Sequence, residues 1–247
     1  MTYTSVPRFF IAGDQITQQQ AIVEAADVAH LAALRLRSGE VIELVIDDHS
    51  IRKVTLSRVE KAVIQFSTYE ERPLPPAVTP KITLIQALPK GDKLSEIINH
   101  CTQLGISNLI LWQSERSIST PSDQKWPSKV ARLQQVVRNA AMQSKQDRIP
   151  TIALQLMRTN DLTQIDATQK ILLWEEERSH SLKQLLSATP APSSIVVVVG
   201  PEGGITPQEA ATLQSAGFRP TGLGDSILRV EVAAFSAISL IRFWYGK

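Results

Sequence analysis

The sequence predicts an α/β protein in which a small, mostly β domain precedes a larger domain with a mainly parallel sheet. Three observations lead to this prediction. A stretch with four prolines, Glu70–Pro80, interrupts the chain and predicts a segment without regular structure. Beyond it, strand patterns alternate with helix patterns, as they do in proteins with parallel sheets. Two short runs, Ile171–Trp174 and Ile195–Val199, are apolar throughout, which is typical of strands buried on both faces.

The smaller domain is expected at residues 1–72, followed by a linker at 73–80 and the larger domain at 81–247. Three segments of the smaller domain are rich in Val and Ile and are strand candidates: Glu40–Asp47, Val54–Ser57 and Val63–Ser67. The segment before them, Gln18–Leu36, is rich in Ala and Leu and contains no Gly or Pro. This composition predicts a helix there.

The larger domain contains further strand candidates at Lys81–Leu88 and Asn108–Trp112. Helices are predicted at Asp92–Leu104, Lys129–Gln143 and Val232–Phe243. The first two helices place apolar residues three or four positions apart, on one face. These residues are Leu94, Ile97, Ile98 and Cys101 in the first helix and Val130, Leu133, Val137 and Ala140 in the second.

The composition is that of an ordinary globular protein, with 43% hydrophobic and 20% charged residues. A formal net charge of +2 does not mark the whole chain as a nucleic-acid binder, so any basic surface must be local. A single cysteine excludes a disulfide framework within one chain and fits a reducing compartment. Neither a signal peptide nor an apolar run of membrane-spanning length is evident. We therefore expect a cytoplasmic protein without membrane or metal partners.

The first candidate site is a glycine loop that follows the apolar strand Ile195–Val199. Pro201–Gly204 forms a tight loop, and a helix then begins with the capping-box pattern of Thr206 and Glu209. A glycine turn between a strand and a helix is where α/β proteins bind ligands, although a simple strand-to-helix turn has the same pattern. The loop lacks G-x-G-x-x-G and a P-loop lysine, which disfavours a dinucleotide or ATP site.

The second candidate site is the segment Phe218–Glu231, in which two glycines bracket Leu223. Arg229 and Glu231 follow at the start of the last helix and form either a site or a surface ion pair. Gly224–Leu228 also matches the motif of GDS-type esterases. All four histidines precede Ser226, which is contrary to the residue order of those esterases. The serine esterase is therefore a remote alternative.

The two loops together resemble one known family. GPEGGIT-x-x-E at 200–209, followed by LG-x-x-ILR-x-E at 223–231, is similar to the ribosomal RNA small-subunit methyltransferase E family. Members of that family form N3-methyluridine in 16S ribosomal RNA. Other segments match in the same order, so that the resemblance covers nearly the whole chain: Arg8–Phe10, His30–Gly39, Lys90–Lys93, Leu104–Gly105, Ser114–Arg116 and Arg148–Pro150.

The resemblance implies a fold, a cofactor and partners. The fold would be a PUA-like β-barrel followed by a SPOUT-type parallel sheet whose C-terminal segment forms a trefoil knot. The cofactor would be S-adenosylmethionine, and the RNA partner would be 16S ribosomal RNA in the small ribosomal subunit. The protein would be a homodimer with the methyl-donor sites next to the subunit interface.

The resemblance also implies roles for the residues of the two loops. The methyl donor would be held by Leu173, Gly200, Gly204, Leu223, Gly224, Ile227 and Leu228. For Leu173 a plain core position is an equally good interpretation. Uridine N3 must lose a proton and its anion must be stabilised. Arg229 is the candidate for the anion, while Glu231 or Glu202 would orient Arg229 or accept the proton.

RNA contact requires local positive charge. The stretch from Arg116 to Arg148 contains seven basic residues against two acidic ones, and its two end residues also match family positions. In the first domain the candidates are Arg8, Arg35 and Arg37. A solvated helix face for the long stretch and an ion pair for Arg35 are the structural alternatives.

The sequence departs from the family pattern at His100, Gln103, Met142, Gln146 and Val232. These departures motivate a second hypothesis, in which the protein has kept donor or RNA binding but has a different target or has lost catalysis. A Rossmann-type nucleotide enzyme is a further alternative, against which the missing G-x-G-x-x-G argues.

Overall fold

The computed structural model describes residues 6–118, 121–122, 124–188 and 190–246. The chain divides into two compact units. The first contains the residues up to 76 together with 141–148, and the second contains 77–140 and the residues from 149 onward.

The first unit is built on an open five-stranded sheet with the order β1-β3-β4-β5-β2. The strands are β1 (Arg8–Ile11), β2 (Gln20–Ile22), β3 (Val41–Ile46), β4 (Ser50–Glu60) and β5 (Val63–Pro73). Only β1 and β3 are parallel. Alternate residues of these strands bury their side chains, as in Leu44, Val54 and Ile64. One short helix, α1 (Val28–Ala33), and two 3-10 turns, Gly13–Gln15 and Ala25–Asp27, complete the unit.

The prediction of a single helix at Gln18–Leu36 is wrong. The segment contains β2, a 3-10 turn and only the six residues of α1. Ala21 of β2 lies opposite Ile64 of β5, and both are fully buried. Burial by strand pairing is a tertiary effect, and it overrides the local helix propensity of an Ala-rich segment.

The prediction that Glu70–Pro80 lacks regular structure is also wrong in part, because β5 continues to Pro73. The paired strand β4 is equally long, and Glu70–Pro73 pair with Ser50–Lys53. A salt bridge between Arg52 and Glu71 (2.9 Å) joins the two strands across this pairing. The first proline of the segment therefore lies at a strand end, where a missing N–H is tolerated.

The second unit contains a six-stranded sheet in which every pairing is parallel, as predicted. Its strands are β6 (Lys81–Ala87), β7 (Asn108–Trp112), β8 (Thr151–Ile152), β9 (Gln169–Leu173), β10 (Ser194–Val199) and β11 (Arg219–Thr221). Their order is β11-β9-β10-β6-β7-β8. Strand β10 lies between β9 and β6 and is buried on both faces, which explains its unbroken apolar run.

Helices cover both faces of this sheet. They are α2 (Lys93–Gln103), α3 (Trp126–Gln143), α4 (Thr159–Leu162), α5 (Leu182–Ala188), α6 (Pro207–Ser215) and α7 (Val230–Tyr245). Helices α2, α3, α5 and α7 pack on the face that bears Val197. Helices α4 and α6 pack on the opposite face, which bears Val196 and Val198. The predicted inner faces of α2 and α3 are buried, and α3 begins three residues before the predicted start.

Hydrogen bonds from Arg242 connect the last helix, α7, to the C-terminal end of α2. Its guanidinium donates to the carbonyl oxygens of Leu104 (3.2 Å), Pro80 (2.9 Å) and Gly105. The carbonyl groups at a helix C-terminus have no partner within the helix and carry partial negative charge, so a cation satisfies both needs. Burial lowers the pKa of Arg242 from its ordinary value.

We expect Arg242→Met to lower the free energy of unfolding by about 2–3 kcal/mol, because several partly buried carbonyl groups lose a charged donor. Arg219→Met is the matched control, since Arg219 is exposed on β11, and its effect should be within about 0.5 kcal/mol. Urea unfolding of both variants measures the difference. Equal free energies of unfolding for the two variants would show that the Arg242 contacts do not stabilise the fold.

Candidate functional site

A cavity of about 540 Å³ lies at the carboxyl edge of the parallel sheet. Its walls come from the loops that follow β9, β10 and β11, together with Lys93 at the start of α2 and Ala233 of α7. Because all strands of a parallel sheet end on the same edge, loops far apart in sequence meet there. The volume is within the range of small-molecule sites.

The structure brings the two sequence-predicted loops together in this cavity. All seven residues proposed to hold a methyl donor line it: Leu173, Gly200, Gly204, Leu223, Gly224, Ile227 and Leu228. Glu202 and Arg229 also line it. Glu231 lies at the edge of the cavity, next to Lys93. The two loops therefore form one site.

Side chains from the loop after β9 hold the first glycine loop in place. Glu175 accepts a hydrogen bond from the Ile205 amide (3.2 Å), and the Trp174 indole donates to the Ile205 carbonyl (3.3 Å). Gly204 has φ +77°, and a Cβ added there would lie 1.7 Å from Glu175 Oε1. The backbone conformation therefore favours glycine at position 204, and a larger residue would displace the Glu175 carboxylate from the Ile205 amide.

Glu202 fastens the same loop to the loop after β6. Its carboxylate accepts hydrogen bonds from the Lys90 amide (3.1 Å) and from Lys93 Nζ (2.8 Å). Burial raises the pKa of Glu202, but the hydrogen bonds from Lys93 and from the Lys90 amide outweigh this and lower the pKa below its ordinary value. The hydrogen bond with Glu202 in turn raises the pKa of Lys93. Both groups are therefore charged at neutral pH.

Glu209 joins the start of α6 to two other loops. The predicted capping box with Thr206 is present. Glu209 is buried, and it also accepts hydrogen bonds from the Glu115 amide (2.9 Å) and from Thr159 Oγ1 (3.1 Å). Next to it, Arg116 donates to the Gly203 carbonyl (2.8 Å). The loop after β7 is thereby joined to the glycine loop as well.

The second glycine loop passes closely beside residues 177–182. The Gly222 amide donates to the His180 carbonyl (2.8 Å), and the Leu182 amide donates to the Gly222 carbonyl (3.0 Å). A Cβ on Gly222 would lie 2.8 Å from the Glu177 carbonyl oxygen. Glycine is needed here for close backbone approach.

Arg229 and Glu231 do not form the ion pair that was the alternative interpretation of their spacing. Arg229 precedes α7 directly and is exposed, and it has no ion-pair or hydrogen-bond partner for its side chain in the described part of the chain. Glu231 is largely buried, and its Oε2 lies 3.6 Å from Lys93 Nζ. Among the described cations that line the cavity, Arg229 alone has no side-chain partner, since Lys93 contacts the two carboxylates and Arg178 donates to the Asp225 carbonyl (3.5 Å).

Sequence reasoning missed four charged residues of the site: Lys93, Glu175, Glu177 and Arg178. Lys93 belongs to a segment that matched the family pattern but received no role. Its position directly after β6 was the available signal, because that strand ends at the same edge as β10. Glu175 and Glu177 follow β9 in the same way.

The five arginines proposed to bind RNA lie in different settings. Arg8 is only 6% exposed, and its guanidinium pairs with Glu43 (2.7 Å) and Asp147 (2.8 Å) and donates to two carbonyl groups. All of these partners belong to the first unit, so the Arg8 guanidinium serves the packing of that unit and we leave Arg8 out of the RNA surface proposed below. Arg35 and Arg37 are exposed in the turn after α1, and Arg148 is half-buried. Arg116 lies beside the cavity through its bond to Gly203.

The departures from the family pattern are not part of the cavity lining. His100, Gln103, Met142, Gln146 and Val232 are all absent from its lining. Met142 is buried, while the His100 ring packs edge-on against Phe235 at 5.9 Å. Ser226 lines the cavity without a hydrogen bond to any described histidine, so the serine triad of an esterase is not formed.

Neither a bilayer-spanning helix nor a metal-binding cluster is found among the described residues. No helix in residues 6–118, 121–122, 124–188 and 190–246 is long and apolar enough to cross a membrane. In the same ranges, no group of three or more His, Cys, Asp or Glu residues is placed to hold a metal ion.

Comparison with known proteins identifies the family. A family model described as an RNA methyltransferase domain matches residues 77–242. Ribosomal RNA small subunit methyltransferase E of Bacillus subtilis is 30% identical over 257 residues, which cover 96% of each chain. This chain belongs to the ribosomal RNA small-subunit methyltransferase E family.

Two further members of the methyltransferase E family also match this protein over most of its length. The protein from Mycobacterium tuberculosis is 28% identical over 226 residues, covering 90% of this chain and 85% of its own. The crystal structure of the protein from Neisseria gonorrhoeae, bound to S-adenosyl methionine, has a TM-score of 0.83. It is 26% identical, and the match covers 97% of this chain and 98% of that one.

We expect Glu209→Ala to lower the free energy of unfolding by about 3 kcal/mol, because buried donors on three segments lose their shared acceptor. The neighbouring exposed residue gives the matched control, Gln208→Ala, whose effect should be within about 0.5 kcal/mol. Denaturant unfolding monitored by circular dichroism compares the two. A Glu209 variant as stable as the control would contradict the anchoring role.

Proposed function

We propose that this protein is an S-adenosylmethionine-dependent methyltransferase that forms N3-methyluridine in 16S ribosomal RNA of the small ribosomal subunit, in the cytoplasm. One observation carries the proposal. Both glycine loops that match the methyltransferase E family line a single cavity at the carboxyl edge of the sheet. A family member of the same fold is bound to S-adenosyl methionine.

The cavity fits such a donor in size and in the character of its walls. Gly200 and Gly204 carry no side chain at the cavity wall, so the backbone of the loop is exposed to a ligand there. Leu223, Ile227 and Leu228 supply apolar surface for a purine ring. Leu173, the last residue of β9, forms another part of the cavity wall. In this proposal the donor is recognised mainly by backbone and apolar contacts.

The charged residues supply the chemistry that uridine requires. When bound, S-adenosylmethionine supplies a methyl group on a positively charged sulfur, which leaves as a neutral thioether as the bond to N3 forms. The N3 proton must go to a base, and the negative charge that develops on the ring must be stabilised. Arg229 is free to stabilise that charge. We assign the proton to Glu231, because Glu202 already accepts hydrogen bonds from Lys93 and the Lys90 amide whereas Glu231 Oε2 accepts none in the described part of the chain.

The proposed RNA surface uses four of the five predicted arginines. Arg116 lies beside the first glycine loop, and Arg35, Arg37 and Arg148 belong to the first unit. Binding through arginine and phosphate releases counterions and weakens with added salt. We propose that the first unit, with its five-stranded sheet, is the PUA-like barrel that recognises RNA shape.

The proposed homodimer is formed through α7. This helix exposes three apolar side chains on one face, Val232, Phe235 and Phe243. Their spacing of three and eight residues brings them onto a common stripe. Large apolar residues exposed together mark an interaction surface, and the helix that carries them begins at the cavity. A second copy of the chain on this face would lie next to the donor site.

We also propose that the C-terminal segment is knotted. Gly222 forms hydrogen bonds with both sides of residues 180–182, so the chain runs in close contact with that loop. It then continues into α7, which packs against α2 and β10. The close contact with residues 180–182 and the packing of α7 are the two observations that support the proposed knot.

The test of the proposed function uses purified protein, radiolabelled S-adenosylmethionine and small ribosomal subunits from a strain that lacks this modification. The expected product is label in 16S RNA that co-migrates with N3-methyluridine after nuclease digestion. Label in another nucleotide would replace the proposed target. Donor binding without label in any RNA would instead support the non-catalytic hypothesis.

We expect Gly204→Ala to weaken S-adenosylmethionine binding at least about tenfold, because the added Cβ would displace the Glu175 carboxylate that anchors the loop at the Ile205 amide. Gly217→Ala is the matched control. Gly217 also has a positive φ (+89°), but no atom lies within 4 Å of an added Cβ. Calorimetry should show unchanged affinity for this control, with a loss of about 1 kcal/mol in stability. Equal affinities of the two variants would contradict the role of the loop.

We expect Phe243→Asp to convert a dimer into a monomer, because a charge would be placed in an apolar interface. Phe243 is 85% exposed in the single chain, so the change should leave its folding intact. Leu154→Asp is the control, since Leu154 is 67% exposed and lies outside α7. Sedimentation velocity distinguishes a 27.3 kDa chain from a particle of twice that mass. A monomeric wild-type protein, or a dimeric Phe243 variant, would contradict this interface.

A further inference from the structure

Lys93 occupies a position between the two carboxylates of the site. It is the first residue of α2, and its Nζ lies 2.8 Å from Glu202 Oε1 and 3.6 Å from Glu231 Oε2. Glu202 belongs to the first glycine loop, and Glu231 belongs to the last helix. One ammonium group therefore links the two segments that border the reaction site.

The two carboxylates depend on this lysine to different degrees. Glu202 also accepts hydrogen bonds from the Lys90 amide. Glu231 Oε2 is buried and has no hydrogen bond, so the ammonium is its only counter-charge in the described part of the chain. A buried carboxylate without a counter-charge is costly and would recruit an available cation.

Arg229 is such a cation. It lines the same cavity, precedes Glu231 by two residues and has no side-chain partner among the described residues. Guanidinium and carboxylate groups form strong, often bidentate pairs. A guanidinium held in such a pair could not also stabilise charge on a nucleotide. Another cation must therefore pair with Glu202 and Glu231 if the Arg229 guanidinium is to remain unpaired.

We propose that Lys93 is a positioning residue that binds Glu202 and Glu231 together and so leaves the Arg229 guanidinium free for the nucleotide. The proposal rests on the proposed function and adds a residue to it. Lys93 acts through the two carboxylates and need not touch the methyl donor or the uridine. Its removal should impair turnover far more than donor binding.

The first experiment compares Lys93→Met with Lys93→Arg. Lys93→Met should lower kcat on small ribosomal subunits at least about tenfold, because Arg229 would pair with a carboxylate. The calorimetric Kd for S-adenosylmethionine should change less than about twofold. Lys93→Arg, which keeps the charge, should stay within about threefold of wild-type kcat. Lys183→Met, on the exposed side of α5, controls for the loss of one positive charge.

A second readout follows Arg229 directly and does not need activity. The heteronuclear NOE of the Arg229 Nε–H group should be low in the wild-type protein and should rise in Lys93→Met. Arg229→Lys identifies the resonance by its disappearance. A Lys93→Met protein with wild-type kcat, or with an Arg229 side chain as mobile as in the wild type, would overturn the proposal.

These two readouts separate the inference from the proposed function. Wild-type protein that methylates no uridine would refute the proposed function, while the NOE comparison would still decide whether Lys93 keeps Arg229 free. Active wild-type protein with an unaffected Lys93→Met variant would refute the inference alone.

Discussion

The site depends on a short loop, Gly200–Ile205, being held open by side chains from other parts of the chain. Glu175 holds the Ile205 amide, Lys93 holds Glu202, and Arg116 holds the Gly203 carbonyl. Each of these residues follows a different strand of the sheet. The parallel arrangement is what brings these loops to one edge, since every strand ends there. A loop fixed from several sides can present its backbone groups to a ligand without first losing conformational entropy.

The charged groups around this loop have separate tasks. Three of these side chains form hydrogen bonds within the protein: Glu175, Glu202 and Arg116. The Arg229 side chain has no partner among the described residues. Charged residues at a site are therefore poor guides to chemistry until their partners are known. The buried Arg8 illustrates the same point, because it matches the family pattern and yet serves the packing of the first unit.

Much of the second unit could be predicted from the sequence because its signals are local. The apolar strand β10, the capping box of α6 and the inner face of α2 each follow from a few neighbouring residues. The errors in the first unit arise where strand pairing decides, as in β2 opposite β5. The part played by Lys93 could not be predicted, because it depends on Glu202 and Glu231, which follow it by more than a hundred residues.

The glycines of the site were predictable for a related reason. A positive φ at Gly204 and close backbone approach at Gly222 strongly favour glycine, so the sequence shows glycine at these positions. Their neighbours Glu175 and Glu177 could have been other acceptors, and for that reason they gave no comparable signal. The family resemblance rested on the glycines, and the residues that it indicated line one cavity.

Amide hydrogen exchange at Gly204 and Ile205, with and without S-adenosylmethionine, tests the central claim most directly. If the loop is held open by its anchors, the Ile205 amide should exchange slowly in the free protein, and Gly204 should become further protected when the donor binds. Fast exchange of the Ile205 amide in the free protein, or no change at Gly204 with saturating donor, would contradict a preformed donor site in this loop.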